Sequence, residues 1–84
     1  TMKLLFIIDP ITTLKHYKDT SVAMMRAAAK RGHQLFICEQ HDMYLQQATV
    51  HVRAQPINLD EGEQWYQLDA QQEYLPNAFD AVLM

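Results

Sequence analysis

Asp9 is the first residue whose type and position could do chemistry. It closes the run Lys3-Leu4-Leu5-Phe6-Ile7-Ile8-Asp9-Pro10. A carboxylate where a strand meets its loop serves either a ligand or the nearby loop amides. Lys15, His16 and Lys18 follow in the same connection, which ends in Asp19-Thr20-Ser21. Thr20 and Ser21 place hydroxyls where a helix should begin, suited to plain capping or to donating hydrogen bonds to an anion. The segment from Asp9 to Ser21 is therefore the first place to look for a site.

Other reactive side chains carry less. The four histidines, His16, His33, His41 and His51, fall on different elements, and none pairs with another at i, i+4. Scattered surface histidines are the default reading, and no metal site is expected. His41-Asp42 has the makings of a dyad but no positioned nucleophile. Cys38 lies inside Leu35-Phe36-Ile37-Cys38, where it should act as a small hydrophobe. A lone cysteine cannot form an internal disulfide, which makes a reducing cytoplasm the natural compartment. With only Gly32 and Gly62 in the chain, a glycine-rich phosphate loop of either the Walker or the dinucleotide type is excluded.

The elements that must position these residues follow from the apolar pattern. Five consecutive apolar residues from Leu4 to Ile8, stopped by Asp-Pro, read as a strand buried on both faces. Such a run belongs mid-sheet among parallel neighbours, with helices expected on both sides. Val22 to Arg31 reads as a helix, with Val22, Met25 and Ala29 toward the sheet and Arg26 and Lys30 on a solvated face. Ala27-Ala28-Ala29 allows close approach to the sheet or to another subunit. Gly32 suits the left-handed position just past the helix end. Leu35 to Cys38 is the second strand, which completes a βαβ unit.

Farther on, Met43-Tyr44-Leu45 and residues 49–54 read as a hairpin around Gln46-Gln47-Ala48. Val50, Val52 and Ala54 alternate there with Thr49, His51 and Arg53. Without glycine, a tight two-residue turn is not expected, and a longer connection is. Pro56 should confine Ile57-Asn58-Leu59 to a sheet edge. Trp65-Tyr66-Gln67-Leu68 reads as a short strand whose aromatic residues cover the hairpin. Phe79 to Met84 reads as a third parallel strand beside the first.

Size and charge set outer limits. The chain has 84 residues and a net charge of −3, so at most one small domain is expected, without the basic stripe of a nucleic-acid surface. No apolar run reaches the roughly 18–20 residues of a membrane span, and no secretory signal is visible. Thr1 ahead of Met2 reads as vector-derived. A stop at the carboxyl end of a strand, where site loops should begin, reads as a fragment.

The order of several segments resembles the start of prokaryotic glutathione synthetase. These are Ile8-Asp9-Pro10-Ile11, Lys18-Asp19-Thr20-Ser21 with Ala23-Met24, Lys30-Arg31-Gly32-His33, Asp42-Met43-Tyr44-Leu45, Trp65 and the closing Phe79-Asp80-Ala81-Val82-Leu83-Met84. The likeness covers nearly the whole chain. Where that family often has an Asn-Gly-type turn, this chain has Gln46-Gln47-Ala48. The resemblance implies an α/β fold: a single Rossmann-like pre-ATP-grasp domain over residues 1–84, with a mainly parallel sheet, a βαβ core and an appended hairpin. It also implies a bacterial, cytoplasmic ligase that joins γ-glutamylcysteine to glycine with ATP and Mg²⁺, through an acyl phosphate. Nucleotide and metal ligands would lie in the ATP-grasp part, so this fragment alone should bind no cofactor and catalyse nothing. Asp9, Lys18, Thr20 and Ser21 would line the substrate cleft, and a homo-oligomer is expected. A non-catalytic flavodoxin-like or Rossmann-like interaction module is the alternative, and the N-terminal half of a sugar-nucleotide transferase is a third reading.

Overall fold

The computed structural model describes residues 1–8, 10, 20–60 and 65–83. Strand β1 (Lys3–Ile7) lies in mid-sheet, paired in parallel with β2 (Gln34–Cys38) on one side and β7 (Ala81–Leu83) on the other. The two-faced burial of the first apolar run is thus realised: residues 4 to 8 are all buried. Helix α1 (Thr20–Lys30) connects β1 to β2. It ends as its sequence requires. Gly32, at φ +81°, donates its N–H to Ala29 O (3.0 Å), and His33 donates to Ala28 O (3.2 Å). These two bonds satisfy orphan carbonyls of the last turn.

Beyond the βαβ unit the sheet departs from the mainly parallel expectation. Strands β3 (Met43–Gln46), β4 (Thr49–Leu59), β5 (Tyr66–Leu68) and β6 (Gln72–Tyr74) add four antiparallel pairings to two parallel ones, so the sheet is mixed and mostly antiparallel. Strand β4 is the reason. It is long enough to take β2 and β3 in succession along one side and β5 and β6 along the other. Ile57 sits between Leu35 and Leu68, and Val52 sits between Met43 and Tyr74.

Two local expectations fail, each for a definable reason. Pro56 does not confine its strand to an edge, because Phe36 of β2 lies directly opposite it. Its carbonyl accepts from Asp69 N–H (3.0 Å), so the missing donor faces the same side. There, residues 69–71 oppose only residues 55 and 56 between the registers of β5 and β6. At that one-residue bulge the carbonyl of Asp69, left without a proline N–H, accepts from Gln55 Nε2 (3.4 Å) instead. The hairpin turn is also tight after all. Gln46 pairs with Thr49, and the two residues between them, Gln47 and Ala48, take φ +51° and +63°. This is the primed conformation that matches strand twist, reached without glycine.

The core has two faces. Leu4, Phe6, Ile8, Leu35, Ile37, Ile57 and Trp65 pack with Val22 and Met25 on the side of α1. Leu5, Ile7, Phe36, Cys38, Val52, Ala54 and Phe79 pack on the other. Among the described residues no helix covers that second face, contrary to the expectation of helices on both sides. Phe36, Tyr74 and Phe79 close it instead, with ring centroids 5.2–5.5 Å apart. Each such pair contributes about 0.5–1.5 kcal/mol beyond its buried area. Ala29 does not pack against the sheet. It stays exposed, and Ala28 takes the contact with the core. Trp65 covers the α1-side core rather than the hairpin.

Candidate functional site

Parallel pairing places the carboxyl ends of β1, β2 and β7 on one edge of the sheet. The helix arrives there too. Its C-terminal end is tied to the strands' amino ends, where Met2 N–H donates to His33 Nδ1 (3.1 Å) and Gln34 N–H to Met2 O (2.8 Å). The N-terminus of α1, with Thr20 exposed and Ser21 half-buried, therefore sits at the carboxyl edge. Two of the four candidate substrate-binding residues are thus located by the topology. Asp9 and Lys18, with Lys15 and His16, lie outside the described residues.

At the same edge β1 and β2 close their ladder with Ile8 N–H donating to Cys38 O (2.9 Å). The chain then makes a 3₁₀ turn, Gln40–Asp42. Asp42 Oδ2 accepts from Glu39 N–H (2.9 Å), and Asp42 N–H donates to Glu39 O (3.0 Å). His41 stands out from this turn with its side chain 74% exposed. Its Nδ1 lies 3.9 Å from Glu39 Oε1 and its Nε2 lies 3.6 Å from Asp42 Oδ1. The three donor groups fall within 4.8 Å of one another. Each ring nitrogen faces a different carboxylate, and one Asp42 oxygen already serves the turn. Exposed acidic groups of this kind are common without a bound ion.

Nucleophilic chemistry at Cys38 is disfavoured. Burial, reinforced by the negative charges of Asp42 and Glu39, pushes its thiol up to about 11. The reactive species is the thiolate, and this environment suppresses it. The reading of Cys38 as a buried small hydrophobe agrees with its place in the second core face.

A second polar group lies on the outer surface of the hairpin. Tyr44 O–H donates to Glu73 Oε2 (2.5 Å), and His51 Nδ1 lies 2.9 Å from Glu73 Oε1. The Tyr44 and His51 rings stack at 5.3 Å, and the Arg53 guanidinium sits 5.1 Å from the Tyr44 ring centre. The hydrogen bond to Glu73 raises the Tyr44 phenol, and the same bond lowers the Glu73 carboxyl. Sequence reading missed this network. The alternation of His51 and Arg53 was legible, but Tyr44 and Glu73 reach them only through the registers of β3 and β6 on β4. The network ties three strands together. A hollow of about 500 Å³ lined by His33, Gln34, Pro56, Asn58 and Asp69 opens at the opposite, amino end of β2.

Fold and edge together define an α/β domain with the carboxyl ends of a short parallel strand set on one edge. A family model described as the N-terminal domain of prokaryotic glutathione synthetase matches residues 2–84, and the chain belongs to that family. The glutathione synthetase of Bordetella pertussis is 44% identical over 89 aligned residues, covering 99% of this chain and 28% of that protein. That of Ralstonia nicotianae is 44% identical over 85 residues, with 99% and 26% covered. That of Nitrosomonas europaea is 45% identical over 87 residues, with 99% and 27% covered. The chain thus spans a little over a quarter of the length of these relatives. No described helix is long and apolar enough to cross a membrane.

Proposed function

We propose that this chain is a single N-terminal domain that forms one wall of the substrate cleft of a glutathione synthetase. The full-length protein would be a ligase that joins γ-glutamylcysteine to glycine with ATP and Mg²⁺. The family match across residues 2–84 carries this reading. A carboxylate resists attack by an amine until its oxygen becomes a good leaving group, and phosphorylation by ATP supplies that activation. This chain has no glycine-rich phosphate cradle. Nucleotide and Mg²⁺ would be held by parts of the full-length protein outside this chain. The part of the described residues is to bind and orient the dipeptide at the carboxyl edge, where hydroxyls at a helix N-terminus are suited to its carboxylates.

Within this reading Asp9, Lys18, Thr20 and Ser21 face the dipeptide, the protein works in the cytoplasm, and it assembles as a homo-oligomer. The lone buried thiol suits a reducing compartment. The exposed Met24 and Ala27 on α1 supply apolar surface of the kind a subunit contact uses. The test is steady-state kinetics of the full-length enzyme carrying Asp9→Ala. The Michaelis constant for γ-glutamylcysteine should rise while that for ATP holds, and unchanged constants would reduce Asp9 to loop support.

A further inference from the structure

We infer that Asp80 is a positioning residue for the dipeptide. Its carboxylate fixes the position of β7 along β1, and so sets the crevice between the carboxyl ends of those two strands. The inference rests on the ligase reading above and assigns a role to a residue that reading leaves unused.

The strand order puts the crevice there. In the order β3-β4-β2-β1-β7 the chain steps from β1 to β2 on one side and returns to β7 on the other. Both pairings with β1 are parallel. The order therefore reverses between β1 and β7, and in open α/β sheets ligands bind at the carboxyl ends of the strands at such a reversal. Any shift of β7 along β1 changes how the two sides of the crevice meet.

The side chains of β7 fix that position weakly. The strand has three residues, with Leu4, Leu5 and Phe6 opposite Ala81, Val82 and Leu83. Ala81 and Leu83 are only partly buried, and Val82 is 45% exposed. Register is poorly specified where so little is buried. Phe79 anchors the preceding turn in the second core face, which leaves the rung itself to Asp80. The Asp80 N–H donates to Lys3 O (2.7 Å), and Asp80 Oδ2 accepts from Lys3 N–H (2.7 Å). Both backbone polar groups of Lys3 thus face β7. In a longer ladder that N–H would donate to a carbonyl of the neighbouring strand. The chain bends away at Phe79 and Asp80, and the carboxylate stands in for the carbonyl. A slip of one residue would move the carboxyl end of β7 by about 3.3 Å. A misplacement of about 1 Å can already cost a hundredfold in rate.

The test is steady-state kinetics of the full-length enzyme carrying Asp80→Ala or Asp80→Asn. The bond needs an acceptor oxygen at this reach, so asparagine keeps it and alanine removes it. Asp80→Ala should raise the Michaelis constant for γ-glutamylcysteine about tenfold or more and leave that for ATP within about twofold. Asp80→Asn should stay within about twofold of the parent on both. A merely structural loss lowers the folded fraction, which reduces apparent kcat for every substrate and moves no Michaelis constant. Unmoved constants in Asp80→Ala, constants raised alike for dipeptide and ATP, or an asparagine variant as impaired as the alanine one would overturn the proposal. Hydrogen exchange on the unmodified protein needs no variant. The Lys3 amide should exchange about tenfold or more slowly than an unstructured amide, and free exchange would equally overturn it. An active parent whose Asp80→Ala variant keeps its constants sinks the positioning and spares the ligase, whereas a parent without turnover on these substrates sinks both.

Discussion

Ala48 in the hairpin turn should be improved by replacing it with glycine. Its φ of +63° lies in the left-handed region, which costs an ordinary L-residue roughly 1–2 kcal/mol. Its side chain is exposed, so removing the methyl loses little packing. Glycine adds unfolded-state freedom worth about 0.4–1 kcal/mol, which offsets part of the gain. Ala48→Gly should therefore stabilise by about 0.5–1 kcal/mol, and adding Gln47→Asn should contribute a few tenths more, since asparagine tolerates this conformation. In a domain of this size that shifts Tm upward by about 4–8 °C per kcal/mol. Gly32→Ala supplies the mirror experiment. At φ +81°, with nothing within 4 Å of an added Cβ, its cost is that of the backbone alone, about 1 kcal/mol destabilising. Urea titration would read both variants, with midpoints moving in opposite directions at unchanged m. An Ala48→Gly midpoint equal to or below that of the parent would refute the primed turn and return the hairpin to a longer, relaxed connection.

Other outcomes follow from the described environments. Cys38 should resist alkylation at pH 8. With the thiol near 11 instead of its ordinary 9.0, the thiolate population falls about a hundredfold before any steric shielding, and labelling at the rate of a free thiol would refute its burial. The same raised value favours the folded state fully below pH 9; that contribution should fade as pH rises from 9 toward 11, and Cys38→Ala should remove this dependence from a urea-midpoint profile. Glu73 is shifted the other way, so its contribution is present above the ordinary carboxylate value of 4.5 and lost as pH falls through its lower folded value. The stability gap between the parent and Glu73→Gln should accordingly close on acidification below that range, and a pH-independent gap would argue that the Tyr44–Glu73–His51 contacts do not hold in solution.

Much of the positioning frame was legible because it depends on local pattern. An unbroken apolar run, Leu4 to Ile8, has no polar face to turn toward water, and it lies mid-sheet between parallel partners. Gly32 marked the helix end because a left-handed residue there is cheap only for glycine. The errors came where a local rule met a distant partner. Pro56 is tolerated inside the sheet because a bulge contributed by residues 69–71 faces its missing donor. Among the described residues the second face carries aromatic rings from Phe36, Tyr74 and Phe79, scattered along the chain, where a helix was expected. Of the candidate site, Thr20 and Ser21 are placed at the carboxyl edge, whereas Asp9 and Lys18 fall outside the described residues.

What the sequence determined by itself is the βαβ start and its family. Periodicity, caps and buried runs are properties of neighbouring residues, and the ordered motifs from Ile8 to Met84 carry the kinship. What only the tertiary structure decided is the course of β4, the bulge opposite Pro56 and the polar network around Glu73. Each depends on register between strands far apart in the chain, and register is set by the summed packing of whole faces, which no short window of sequence contains.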